Sequence, residues 1–417
     1  MLSSYRQIFA APGSLAFSSS GLIARLPISM TGIGTVTMLA EMKGTFWLGS
    51  ALSATLAISA AILGPWISRM VDRHGQRRIA RPATLVTVLA AAGLLIGART
   101  GLPDWTLFVF AAGMGVMPST GSMVRARWAQ LYRNEPPKLH TAYSFEAVAD
   151  EICFIVGPIL AVSLATTLFP ESGVLLAAVF LVVGVLLFTG QRRTEPPVHP
   201  ATHHAGPAVI ANRGLQILVM TLVATGGVFG SVEVVTVAFA KAQQHTGASG
   251  PVLAVYALGS CLAGAVFGTL KLSGSMARRF LIGVTVMAVG MVPLILAAQL
   301  MHGTAALVGV GTALFLSGLA ISPTLITAMA LVERLVPAAQ LTEGMTWTTT
   351  GMALGVAFGS SAAGLVVDAS GAADGYWVPV AAAGLGALAA YVGMPRLRHQ
   401  LAAAEQAPAT EAVASTM

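Results

Sequence analysis

The chain has 417 residues, of which 55% are hydrophobic and 9% are Asp, Glu, Lys or Arg, with 45 glycines and a mean hydropathy of +0.78. A soluble domain carries roughly 25% charged residues, so a water-soluble surface is excluded and a polytopic membrane protein remains. The net charge of +7 then reports orientation rather than a nucleic-acid partner, and Cys153 and Cys261, both in apolar segments, read as buried thiols.

A bilayer core of about 30 Å needs about 20 apolar residues per helix. Twelve such runs are present: 15–38, 47–68, 83–99, 105–127, 142–165, 173–190, 214–238, 251–270, 280–299, 305–328, 343–367 and 375–393. With the N-terminus in the cytoplasm, the outer loops hold only Lys43, Arg99 and Lys241 of the basic residues, and Arg25 falls inside span one. The other 19 of 23 lie on the cytoplasmic side, which puts both termini inside. Span one follows a polar start and is too long for the apolar core of a cleaved signal peptide, so it reads as a retained helix.

Arg25 is the first notable residue in chain order. An arginine at the centre of a membrane helix costs about 2.5–3.5 kcal/mol on insertion scales, so it demands a partner or a wet cavity. The loop after span two reads "SRMVDRHGQRRIARP". Its Asp72-Arg73-x-Gly75-x-Arg77-Arg78 resembles the signature loop of the major facilitator superfamily, in the place where that family carries it. Twelve spans, a central linker and two inside termini extend the resemblance over the whole chain, although Ser68 stands where the family pattern has glycine.

The resemblance implies an all-α fold of two pseudo-symmetric six-helix bundles, 1–190 and 214–394, joined by a cytoplasmic linker, 191–213. It implies a secondary transporter working by alternating access. Gly75 permits a tight turn between helices. By the same resemblance, Asp72 opposes a helix end of the other half and latches the halves on the cytoplasmic side. Arg77, Arg78 and Arg81 read equally well as topology anchors and headgroup contacts.

Span four contains "GMGVMPSTGSM" from Gly113 and span ten contains "GLAISPTLITAM" from Gly318. The shared Gly-x4-Pro sets Pro118 opposite Pro323, and Gly157-Pro158 of span five matches Gly359-Ser360 of span eleven. A common offset of about 200 residues points to duplicated halves with interrupted helices, the pattern of secondary transporters. Drug exporters of the superfamily usually carry an arginine within span four; here Arg125 and Arg127 come only near its cytoplasmic end. The family's antiporter signature in span five is reduced to Gly157-Pro158, with Cys153, Ala161 and Val162 at its glycine positions.

Span five opens with "FEAVADEICFIVGP". At about 1.5 Å per residue, Glu146, Asp150 and Glu151 lie roughly 6, 12 and 13 Å deep, and Arg25 of span one roughly 16 Å. Tyr143, Glu146, Asp150 and Gly157 share a face, and Glu151 points about 100° away from Asp150. In the family fold spans one and five border the central cavity. Arg25 is then expected to pair with Asp150 or Glu151, leaving the other acid to exchange protons or contact substrate, and Glu146 to pair with Arg125 or Arg127. The competing reading is a static charge network holding spans one, four and five together.

The linker is proline-rich, and its His203 and His204 read as solvated rather than metal-ligating. In the second half, Glu233 of span seven is the candidate for proton or cation binding. The loop "GTLKLSGSMARRF" keeps Arg278 and Arg279 but has Leu272 where the acid of the first loop would fall. Glu343 at the start of span eleven reads as a helix cap. The hydroxyls of Thr346, Thr348, Thr349 and Thr350 are candidates for a substrate cavity. Residues 395–417 read as a cytoplasmic tail, a short helical extension that frays into disorder.

Together these residues point to proton-coupled efflux, by antiport, of a small organic or amphiphilic compound or drug, in the manner of a multidrug exporter. The alternatives are a proton-coupled uptake symporter and, more distantly, a transport-inactive sensor. Neither an HExxH nor a GxSxG motif is present, so no enzyme, metal or cofactor is expected. The expected partners are a small-molecule substrate, protons and the lipid bilayer, with no nucleic acid, and the chain is expected to be a monomer. Nineteen arginines against four lysines fit a high-GC bacterium and its plasma (inner) membrane.

Overall fold

In hydrocarbon every backbone N–H and C=O has to find a partner within its own segment, so apolar runs of this length fold as helices. A computed structural model describes residues 2–43, 46–198, 209–245, 248–270 and 274–414, and no strand occurs among them. A short helix, α1 (Leu2–Ile8), precedes α2 (Ser14–Lys43), α3 (Phe46–His74) and α4 (Gln76–Thr100). Then come α5 (Asp104–Met114), α6 (Thr120–Leu131), α7 (Pro136–Thr167) and α8 (Ser172–Gly190). The second half holds α9 (Arg213–Ala242), α10 (Ser249–Phe267), α11 (Met276–Leu300), α12 (Gly303–Gly318), α13 (Ile321–Leu335), α14 (Leu341–Ser370), α15 (Ala372–Gly375) and α16 (Trp377–Ala414). Eleven helical stretches among the described residues are long and apolar enough to cross a membrane. The remaining expected span, the fourth, is present as the shorter pair α5 and α6.

The chain divides into two compact units, residues 1–142 with 149–206, and residues 207–417 with 143–148. The first packs Leu52, Leu94, Leu107 and Met114 into one core cluster, and the second packs Val232, Phe239, Met291 and Tyr376 into another. Leu89, Ile159, Leu365 and Leu388 are among the large apolar side chains that stay well exposed, as a surface in contact with acyl chains requires.

Span four breaks for a local reason. Pro118 has no N–H to give the carbonyl of Met114. That carbonyl instead accepts from Met117 at 3.2 Å, while Gly115 and Val116 reach back only three residues, to Ala112 and Gly113. The tightened turn ends at Pro118, and helix resumes at Thr120. Ser59 Oγ of α3 donates to the carbonyl of Ala112 at 2.6 Å, and a Cβ on Gly115 would strike Ser59. Span ten shows the same device in milder form. Its ladder is interrupted only at Leu319 and Ala320, and Pro323 sits in the first turn of α13, where a missing N–H costs little. Here Ser260 of α10 shares a 2.8 Å hydroxyl contact with Ser322, and Gly318 lies against the backbone of Tyr256.

Glycines set the closest helix approaches. In the second unit Gly226 and Gly230 of α9 lie on the backbone of Met352 and Val356 of α14, Gly355 and Gly359 of α14 lie on that of Val223 and Gly227 of α9, and a Cβ on any of these four glycines would strike the opposite helix. Spacing of small residues by four is how membrane helices gain dispersion contact and weak Cα–H bonds without a hydrophobic driving force. In the first unit Gly184 of α8 lies on the backbone of Ala24 of α2, and Gly157 of α7 lies on Ser29 of the same helix.

At the end of α6 the side chains pack around a buried guanidinium. Arg127 donates to Gln76 Oε1 at 2.7 Å, to the carbonyl of Gln191 at 2.8 Å and to Thr194 Oγ1 at 2.8 Å, and lies 3.9 Å over the ring of Phe188. Trp128 stacks on Tyr132, whose hydroxyl donates to the carbonyl of Ile8 at 2.6 Å, tying α1 to this end of the first unit. His203, His204 and Leu272 lie outside the described residues.

Candidate functional site: a carboxylate shared by two buried arginines

Three helices of the first unit converge on Asp150. Ser29 Oγ of α2 donates to the carbonyl of Cys153 on α7 at 2.8 Å, one turn beyond Asp150, and Gly157 removes the side chain that would hold the helices apart. On the other side of α2, Gly21 lies under Val124 and Thr120 Oγ1 of α6 donates to the carbonyl of Ala24 at 3.1 Å. The break at Pro118 frees α6 to take this position. These contacts bring Arg25 from α2 and Arg125 from α6 to the same carboxylate.

Arg25 Nη1 stands 2.7 Å from Asp150 Oδ1, and Arg125 Nη2 stands 2.5 Å from Oδ2. Each guanidinium also donates to a carbonyl of its own helix, Arg25 to Gly21 and Arg125 to Gly121. The arginine side chains are 4% and 7% exposed, against 32% for Asp150. Both oxygens of one anion are thus committed to two cations that water hardly reaches, while part of the carboxylate stays open. Desolvating an ion costs several kcal/mol and is offset only by well-aligned partners, and Asp150 supplies one such partner to each arginine.

The remaining expected site residues are distributed as follows. Glu146 is fully buried and Glu151 half-buried on α7. The expected pairing of Glu146 with Arg125 or Arg127 gives way to a different arrangement: Arg125 goes to Asp150, and Arg127 goes to Gln76, Gln191 and Thr194. Glu233 is exposed on α9 and has no hydrogen-bond or ion-pair partner among the described residues. Thr346, Thr348 and Thr350 are buried. Thr348 Oγ1 donates to the carbonyl of Met345 at 2.6 Å and lies 3.7 Å from Met329 Sδ of α13, and Thr349 Oγ1 donates to the carbonyl of Thr346 at 2.9 Å. Asp72 and Arg73 are half-buried in the last turn of α3, and Gly75 takes a φ of 93° between α3 and α4. Arg77 and Arg78 follow in the first turn of α4.

Two side chains escaped the sequence reading. Arg125 was legible as a residue near the end of span four, but not as a second partner for Asp150, because an interruption at Pro118 does not say which way the helix beyond it turns. Glu195, just after α8, accepts the backbone N–H of Arg77 at 2.9 Å through Oε1. It caps α4 across 118 residues of sequence, and no local spacing signals that.

A break in span four echoed in span ten, glycine-mediated approaches repeated in each half, and a charged loop before α4 all match the expected architecture. The sequence profile described as Major Facilitator Superfamily matches residues 14–314. The chain belongs to the major facilitator superfamily. As a member it is a multi-pass integral membrane protein with a transporter's fold. A bacterial homologue of the iron transporter ferroportin, in an outward-facing state, superposes with a TM-score of 0.72 at 16% identity, covering 92% of this chain and 99% of that one. The human organic anion transporter MFSD10 (TETRAN) gives 0.67 at 14% identity over 92% and 100%. The E. coli fucose:proton symporter FucP gives 0.65 at 14% identity over 92% and 98%. At such identities the likeness is one of fold. No protein of curated function matches the sequence significantly.

Proposed function

We propose that this superfamily member is a proton-coupled secondary transporter that exports a small organic or amphiphilic compound across a bacterial plasma membrane by alternating access of bundles 1–190 and 214–394, acting as a monomer. The observation that carries the reading is the contrast between its intramembrane carboxylates. Asp150 is held by two arginines, whereas Glu233 stands exposed on α9 without a partner among the described residues. Ionisable groups within spans are costly and mark ion or substrate paths. Losing the charge of Asp150 would break an ion pair to each of two buried guanidiniums. Gaining or losing a proton at Glu233 disrupts no contact. Glu233 is therefore assigned the travelling proton, and the arginine-bound Asp150 the structural core of the substrate-facing cluster.

The test is flux in proteoliposomes, using a labelled compound chosen by comparing the toxin sensitivity of a deletion strain and an overexpressor. Inward acidification should drive uptake into inverted vesicles by antiport, whereas a symporter would run the other way. Glu233→Gln should keep counterflow of the label and lose its acceleration by the pH gradient. Unaltered pH-driven accumulation in Glu233→Gln would remove this assignment.

A further inference from the structure

The first turn of α4 and the segment after α8 enclose an open cleft of about 600 Å³, lined by His74, Arg77, Arg78, Arg81, Glu195 and Val198, with Pro82 at its edge. We infer that this cleft is a binding site for the headgroup of an anionic phospholipid, whose acyl chains lie along the exposed face of α4.

The charge of the cleft argues for an anion. Three arginines and a histidine face a single carboxylate, and that carboxylate is already engaged by the backbone N–H of Arg77. Arg81 Nε is directed to Thr189 Oγ1 at 2.9 Å. The guanidiniums of Arg77 and Arg78 make no hydrogen bond or ion pair among the described residues. Arg78 is exposed, and Arg77 and Arg81 are half-buried. These forked donors suit phosphate oxygens, and basic pockets at the cytoplasmic ends of membrane helices suit anionic headgroups.

The surface that continues from the cleft argues for a lipid. Arg78, Pro82, Leu85, Leu89 and Ile96 recur at intervals of three, four or seven, so they share one face of α4. All of them are exposed, Leu85 at 59%, Leu89 at 61% and Ile96 at 61%. At about 1.5 Å per residue, Leu89 lies roughly 16 Å from Arg78, close to the depth of one leaflet of a core about 30 Å thick. An amphiphile with its phosphate at Arg78 therefore meets apolar side chain along its whole tail. Exposed apolar faces are common on this protein, but here one runs directly into a basic cleft. A zwitterionic headgroup would bring its own cation against the arginines, so a net negative headgroup is favoured.

The test uses the full chain purified in detergent, with lipid retention measured by native mass spectrometry. Phosphatidylglycerol should bind at least about tenfold more tightly than phosphatidylcholine, given three basic side chains near the headgroup. Arg77→Gln/Arg78→Gln/Arg81→Gln should bring phosphatidylglycerol down to the level of phosphatidylcholine. The charge-matched control Arg133→Gln/Arg192→Gln/Arg193→Gln, at exposed positions outside the cleft, should retain the preference. Should the triple variant fail to fold, Arg78→Gln alone should weaken phosphatidylglycerol severalfold. Leu85→Ser/Leu89→Ser should weaken both lipids. Equal retention by the cleft variant and the parent overturns the site. Displacement of the lipid by glycerol 3-phosphate at comparable concentration overturns the lipid and assigns the cleft to a soluble phosphate ester.

Discussion

Replacing Asp150 with asparagine removes one negative charge and almost no volume, which isolates the electrostatics of the cluster. Removing one partner of a wholly buried ion pair costs about 3–5 kcal/mol. Asp150 is 32% exposed, so water reaches the carboxylate end of the cluster and the pair is not wholly buried, and a loss of about 2–3 kcal/mol is expected. Cys153 lies one turn from Asp150 on the seam with α2, is 1% exposed, and has its Sγ 3.9 Å from the carbonyl of Leu22. Labelling of this thiol by a maleimide therefore reports opening of the seam, in a background where the half-buried Cys261 is replaced by alanine. When reclosing is faster than labelling, the rate tracks the open population. At about 1.4 kcal/mol per factor of ten, Asp150→Asn should label about 30- to 150-fold faster. Adding Arg25→Gln removes the like-charge contact, and the rate should fall part of the way back. A rate within about threefold of the parent, or a double variant faster than the single one, would refute the dependence of the two arginines on this carboxylate.

Other changes test other joints. Gly355→Ala drives a Cβ into the backbone of Val223, which cannot rotate away, so it should destabilise the second unit by about 2 kcal/mol or more and lower the melting midpoint in detergent. Gly364→Ala on the same helix meets nothing within 4 Å and should leave the midpoint unchanged. Arg127→Lys keeps the charge but loses the planar fork that reaches Gln76, Gln191 and Thr194 and covers Phe188. A loss of about 2 kcal/mol is expected, read as a lower midpoint and earlier proteolysis after α8.

The helices were legible because membrane spans are long, apolar and punctuated, and lipid leaves the backbone no alternative. Arg25 and Asp150 stood out for a related reason, since a charge in an apolar run is conspicuous and similar depth nominates a partner. Arg125 joins them through three-dimensional routes that spacing does not encode, namely the turn forced by Pro118 and the close approach of Gly21 to Val124. Likewise Gly351, Gly355 and Gly359 repeat every fourth residue in plain view, but only Gly359 was singled out. With 45 glycines in the chain, a repeat of this kind is a weak signal until the facing helix is known. The threonines of α14 show how little a hydroxyl in a span signals by itself. Thr348 and Thr349 donate to the carbonyl three residues back, a bond open to any helical threonine whether or not it also faces a cavity.

The interruption of span four also has a mechanical result. Its first piece, α5, is fastened to α3 through Ser59, while its second piece, α6, is fastened to α2 and, through Arg125, to α7. Between them Gly115 to Ser119 carries no regular ladder, so a rotation of one piece is absorbed in five residues instead of being levered through a rigid rod. Tugging on Arg125 can thus leave α5 at rest, and each piece of the span can be tuned without detuning the other.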